Sequence, residues 1–254
     1  MGYDLQYRIY VPERVRPAAR LPVLFITDGP AYLAQGRIPR VLNRLIEAKE
    51  IEPLIAVFVD PRDPDDLTIN RRNRQFLCQA NYLRFFTREL IPAIEQTYPV
   101  RTEREARTVL GVSHGGRNAA CFGLLGYETF SGIGMHSPAN SPIKNLLPAY
   151  EKSPRLPLRI FLGAGSFNDN TSAKYKFRKV LGNKGYDMKF VQSRKRHNWD
   201  NWRPLIDDAL VFFYGEPAVH QGRLNRPPRP AHGRHLGGIF SARTSSSLPQ
   251  YSAA

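Results

Sequence analysis

The chain has 254 residues, 42% of them hydrophobic, enough for one α/β domain with a sizeable core, and no apolar run approaches the ~20 residues of a membrane span. Two cysteines, Cys78 and Cys121, make no disulfide framework and read as reduced thiols. With no basic-then-apolar leader in Met1–Arg8, the expected location is the cytoplasm. The formal net charge is +15; residues 215–254 supply +4 (five Arg, one Glu) and the body +11, which keeps anionic ligands and nucleic acid among the candidate partners.

In chain order, Leu5–Val11 alternates apolar and polar residues and predicts a half-exposed strand. Leu21–Thr27 and Leu54–Val59 are continuous apolar runs, expected as central strands buried on both faces. Asp28-Gly29-Pro30 reads as a turn. Arg37–Lys49 has helical spacing at Ile38, Val41, Leu42, Leu45 and Ile46. Asp60–Arg74 is a polar loop too long for a simple connector, which suggests a functional loop. Asn81–Tyr98 predicts an amphipathic helix kinked at Pro92.

Thr108–Ala120 organises the rest. The apolar residues Val109, Leu110 and Val112 run into Gly111-x-Ser113-x-Gly115, and a small-residue helix follows to about Leu125. Strand, sharp turn and helix is the context of a nucleophile elbow. The turn needs neighbours without Cβ, and amides at the helix start face the Ser hydroxyl.

Beyond it, Phe130–Met135 predicts a short strand ending at His136, and residues 139–154 look irregular. A strand at Leu156–Leu162, a basic helix at Ala173–Gly185, a strand at Asp187–Ser193 and a helix at Asn198–Phe213 complete the pattern. Residues 1–214 thus read as one α/β domain with a mostly parallel central sheet and helices on both faces, its chemistry at the carboxyl ends of the strands. Residues 215–254, rich in Pro, Arg, Gly and Ser, read as a disordered tail.

Four segments carry a family resemblance: Leu21–Tyr32 with its Asp28-Gly29, the Arg-rich loop before Phe86–Pro92, Gly111–Gly116, and His197–Arg203 with Trp199 and Trp202. Together they resemble the putative-esterase family of enterochelin, feruloyl and acetylxylan esterases and S-formylglutathione hydrolase. The resemblance implies an α/β-hydrolase fold without a large lid, no cofactor and no metal. It also implies a serine carboxylic ester hydrolase working through an acyl-enzyme. The order Ser, acid, His assigns Ser113 as nucleophile, His197 as base and Asp169 as acid. Asn168 stands where relatives often carry a first acid, and Asp187 and Asp200 are fallbacks. The oxyanion hole is expected from the N–H of His114 with Gly29 or Ala31, since Pro30 has none. Arg71, Arg72, Arg74 and Trp199 are the candidate substrate contacts, and a small-molecule ester, anionic in one version, is the expected partner. His136 reads as a structural histidine.

Two rivals stay open: acyl transfer to an alcohol on the same fold, and a basic nucleic-acid-binding protein on a degenerate hydrolase scaffold. Against the second, the chain has no RNP, helix-turn-helix or zinc-finger pattern. The sequence sets no oligomeric state.

Overall fold

The computed structural model describes residues 1–13, 15, 19–169, 171–215 and 237–244. Its most apolar runs become neighbouring strands: β2 (Val23–Ile26), β3 (Ile55–Asp60) and β4 (Arg107–Val112). The complete order is β7-β6-β5-β4-β2-β3-β1-β8, with β1 (Leu5–Pro12), β5 (Gly132–His136), β6 (Arg159–Gly165) and β7 (Asp187–Ser193) as expected within a few residues. The six strands from β7 to β3 are parallel, and β1 is antiparallel to β3.

Alternation along the strands builds two cores, because successive side chains leave opposite faces. Val23 and Phe25 point into one, beneath α4 (Ala80–Phe85), α5 (Ile91–Thr97), α6 (His114–Leu125), α7 (Asn140–Lys152) and α8 (Thr171–Asn183). Leu24 and Ile26 point into the other, beneath α1 (Gly29–Ala34), α2 (Ile38–Glu47) and α9 (Trp199–Tyr214). This is the expected mostly parallel sheet with helices on both faces.

Four expectations need correction. Asp28-Gly29-Pro30 is not only a turn: Gly29 and Pro30 open α1, and proline suits a first turn whose N–H groups have no helical acceptor. Residues 139–154 are not irregular: α7 runs through Pro148 and docks by Tyr150, whose buried hydroxyl donates to the Ala120 carbonyl at 2.9 Å. Cys78 and Cys121 are not free thiols. They form a disulfide with Cα atoms 5.3 Å apart, tying the loop before α4 to α6, so the thiol argument for a reducing compartment falls. Finally, Gly237–Thr244, inside the segment read as a disordered tail, is strand β8, antiparallel to β1 from Leu5↔Thr244 to Pro12↔Gly237. The rest of that tail lies outside the described residues.

The kink foreseen at Pro92 takes a specific form. Phe86–Leu90, between α4 and α5, is a wider π-type turn. Proline lacks an N–H and crowds the carbonyl four residues back, and a widened turn absorbs both defects without ending the helix.

Because β8 covers the outer edge of β1, truncation after Gly215 leaves that edge unpaired. The melting temperature is expected to fall by about 2–4 °C, the equivalent of roughly 1 kcal/mol in a domain of this size; an unchanged calorimetric transition would mean that β8 adds nothing to the sheet.

Candidate active site

Ser113 stands between β4 and α6 with φ 55° and ψ −114°, a backbone state that side chains rarely adopt. Three backbone bonds hold it there: its N–H donates to His136 O at 2.8 Å, and its carbonyl accepts from Ala139 at 2.9 Å and Arg117 at 3.0 Å. The flanking glycines are sterically required. A Cβ on Gly115 would lie 2.6 Å from Thr27 Oγ1 and 2.8 Å from Asp28 Oδ2, and one on Gly111 would collide with the Gly115 backbone.

His197 lies in the loop from β7 to α9. Its Nε2 is 2.9 Å from Ser113 Oγ and its Nδ1 is 2.5 Å from Asp169 Oδ1. Trp202 meets the ring edge-on, with centroids 4.9 Å apart. Asp169, just beyond β6, is fully buried. It is Asp169 rather than Asn168 that meets the imidazole. The fallback Asp187 pairs with Arg159 at 2.9 Å, and Asp200 is exposed on α9.

Sequence reasoning missed three residues around this carboxylate. Ser137, after β5, is buried and donates from Oγ to Asp169 Oδ2 at 2.7 Å. Asn201 of α9 donates to the same hydroxyl at 3.2 Å and accepts from Ser193 Oγ at 2.6 Å. Lys174 of α8 is buried with its Nζ 2.6 Å from Asp169 Oδ1. A serine after a strand and a lysine in a basic helix carry no pattern that would have singled them out.

The N–H groups of Gly29 and His114, each the first residue of a helix, have no acceptor inside that helix. The Ala31 N–H donates to Asp28 O at 3.0 Å, so the pair expected from the sequence narrows to Gly29. A Cβ on Gly29 would fall 2.6 Å from the Phe58 carbonyl carbon.

A cleft of about 530 Å³ opens over Ser113 and His197. Trp199, Trp202, Pro30, Ala31 and Ala34 give it an apolar side, and Arg62, Asn70 and Arg72 a polar one. Of the three arginines expected here, only Arg72 lines the cleft. Arg71 instead pairs with Asp63 and lies over the Tyr3 ring, 4.5 Å from its centre, and Arg74 is exposed. Loop 61–79 turns back at the Arg62–Asn70 bridge and the short helix α3 (Arg72–Gln75), which aims successive side chains in different directions.

Arg72 is not a free cation. Its Nε and Nη2 donate to Asp28 at 2.5 and 2.8 Å, and its Nη1 donates to His114 Nδ1 at 2.9 Å. Burial raises the Asp28 carboxyl, and the Arg72 contacts oppose that rise. Burial, then the charges of Arg72 and Arg117, push His114 below the ordinary histidine range. Arg62 is likewise held by Asp60, at 2.9 and 2.7 Å.

The chain matches the family described as "Putative esterase" over residues 1–213. "Uncharacterized protein YjcH" of Bacillus subtilis (strain 168) is 28% identical over 224 residues, covering 83% of this chain and 91% of that protein. Among solved structures, a ferulic acid esterase aligns with TM-score 0.67 at 20% identity, over 82% of this chain and 91% of its own. The enterobactin esterase FES from Shigella flexneri, in the presence of enterobactin, aligns with TM-score 0.71 at 22% identity, over 82% of this chain but 54% of its own. The chain belongs to the putative esterase family, and its chemistry is ester hydrolysis.

His136 packs under the elbow, fully buried, with Nδ1 3.0 Å from the Tyr32 hydroxyl. Burial lowers its pKa from 6.5 to about 3. Between those values the unfolded chain binds a proton that the folded chain does not. This stability is complete above the higher value and is lost as pH falls toward the lower, by about 1.4 kcal/mol per pH unit. The stability gap between parent and His136→Gln, measured by urea unfolding, should therefore close on acidification; a pH-independent gap would contradict it.

Proposed function

We propose that this esterase is a serine hydrolase in which Ser113 attacks the ester carbonyl, His197 carries the proton and Asp169 orients the imidazole. The supporting observation is the continuous chain from Ser113 Oγ through His197 to a buried Asp169, with links of 2.9 and 2.5 Å. A serine hydroxyl is a weak nucleophile until a base removes its proton, and the base needs a carboxylate to hold its tautomer.

In this reading His197 Nε2 takes the Ser113 proton as Oγ bonds to the carbonyl carbon. The oxyanion forms against the amides of Gly29 and His114, each such donor lowering the barrier by about 3 kcal/mol. Collapse breaks the ester C–O bond, and His197 returns the proton to the departing alkoxide. Water, deprotonated by His197, then attacks the acyl carbon; the bond to Ser113 Oγ breaks, His197 returns the proton to Oγ, and the acid is released.

We further propose that the substrate is a small ester without net charge at the cleft. Arg62 and Arg72, the cations that line it, are already matched by Asp60 and Asp28. The apolar side, with Trp199 5.4 Å from Trp202 and at right angles to it within a few degrees, favours a flat or aliphatic group on the acyl or alcohol portion. The paired arginines remove the reason to prefer an anionic substrate.

A fluorophosphonate probe should label Ser113 and no other serine. Ser113→Ala should lose about 10⁴-fold or more of p-nitrophenyl butyrate turnover with an unchanged circular dichroism spectrum. Full turnover in that variant would sink the serine mechanism.

A further inference from the structure

The carboxylate behind His197 carries an unusual neighbour. Lys174 is as buried as Asp169, with side-chain exposures of 1% and 0%. Its Nζ lies 2.6 Å from Oδ1, the same oxygen that receives His197 Nδ1, and also donates to the Asp169 main-chain carbonyl. The other oxygen accepts from Ser137 Oγ and the Gly165 N–H. In a Ser-His-acid arrangement the acid contributes an uncompensated negative charge, against which the imidazolium forms. Here the Lys174 amine sits on that charge, in a place where water screens it poorly; burial lowers its basicity from the ordinary lysine value, and the hydrogen bond and charge of Asp169 oppose that fall.

We propose that Lys174 is a positioning residue of the triad: its buried ammonium keeps the Asp169 carboxylate ionised and aimed at His197 while withholding part of its negative charge from the imidazolium, which extends esterase activity into more acidic solution. The proposal rests on the serine reading above.

The surroundings support this. Burial alone would raise the Asp169 carboxyl; hydrogen bonds from His197, Lys174, Ser137 and Gly165 outweigh it and hold the group below the ordinary carboxylate range. Ser137 faces the pair from beyond β5, Gly165 from β6, Lys174 from α8, and Asn201 from α9 by way of Ser137. On the far side of His197 stand Ser113 and His114, and behind His114 are Arg72 and Arg117. Arg194, Lys195 and Arg196 of its own loop are exposed. Of these cations only Lys174 touches the carboxylate, and replacing it leaves the others unchanged.

Loss of the cation acts in one direction through two groups. Asp169 loses a contact that keeps it ionised, and the imidazolium meets the full carboxylate charge. Both move the acid limb of kcat/KM toward higher pH. With p-nitrophenyl butyrate between roughly pH 4 and pH 9, Lys174→Met is expected to shift that limb upward by about one unit. Lys174→Gln, which keeps a donor for the Asp169 carbonyl without the charge, should shift it likewise. An unmoved limb in either folded variant, whatever the loss of rate or melting temperature, overturns the proposal.

A measurement on the parent protein needs no variant to fold. The Lys174 ammonium should give a slowly exchanging ¹⁵N–¹H NMR signal at neutral pH, and its absence also overturns the proposal. Failure of the serine reading is separate: turnover surviving in Ser113→Ala removes that reading, while the protected ammonium signal still reports the ion pair.

Discussion

Ser113 occupies a backbone conformation that costs about 1–3 kcal/mol for a residue with a side chain, and three strand ends are arranged to hold it. β4 delivers it at φ 55° and ψ −114°. The His136 carbonyl at the end of β5 takes its N–H. Thr27 and Asp28, beyond β2, come so close to Gly115 that no Cβ fits between them. The turn is therefore fixed by the spacing of neighbouring parallel strands as much as by its own glycines. It survives because β2, β4 and β5 are buried and cannot shift independently.

The same sheet supplies the other half of the site. Asp169 lies beyond β6 and His197 beyond β7, so the serine, carboxylate and imidazole rise from the ends of β4, β6 and β7, with β5 between the first two. Buried carboxylates are tolerated only when their oxygens are hydrogen-bonded. Asp169 meets that condition with two donors on each oxygen. A carboxylate held on four sides has little freedom to turn, and it fixes the imidazole plane in consequence, as does the Trp202 ring against the edge of His197.

The legible parts of this chain are those where one residue type has one physical use. Apolar runs such as Leu54–Val59 read correctly because a strand buried on both faces needs no polar alternation. The strand, sharp turn and helix around Ser113 were legible because Gly111 and Gly115 flank the serine between an apolar run and a small-residue stretch, and neither has room for a Cβ. What escaped depends on distant partners. α7 was obscured by Pro148, whose cost is met by docking on α6. β8 starts with two glycines in a segment rich in Pro, Arg and Ser, and its pairing comes from β1, more than 200 residues earlier. The disulfide joins positions 43 residues apart that meet only once the loop lies over α6. Arg71 and Arg72 are neighbours of identical type that turn to different carboxylates, Asp63 and Asp28, and no local signal separates them.

Net charge was the least informative property for the site itself. A formal +15 suggests a cationic cleft, yet the arginines that line it are matched by carboxylates more deeply buried than themselves. A guanidinium has five N–H donors in a rigid fork, and Arg72 directs them to three places: Asp28 at the end of β2, the Val112 carbonyl at the end of β4, and His114 on the elbow helix. It thus works as a strut that fastens loop 61–79 to the strand ends flanking Ser113. Because Arg72 donates to His114 Nδ1, that imidazole is neutral and carries its hydrogen on Nε2, in keeping with its lowered basicity. Other cations, such as Arg194, Lys195 and Arg196, are exposed outside the cleft. There they act on what approaches from a distance, whereas the charges beside the serine act on shape.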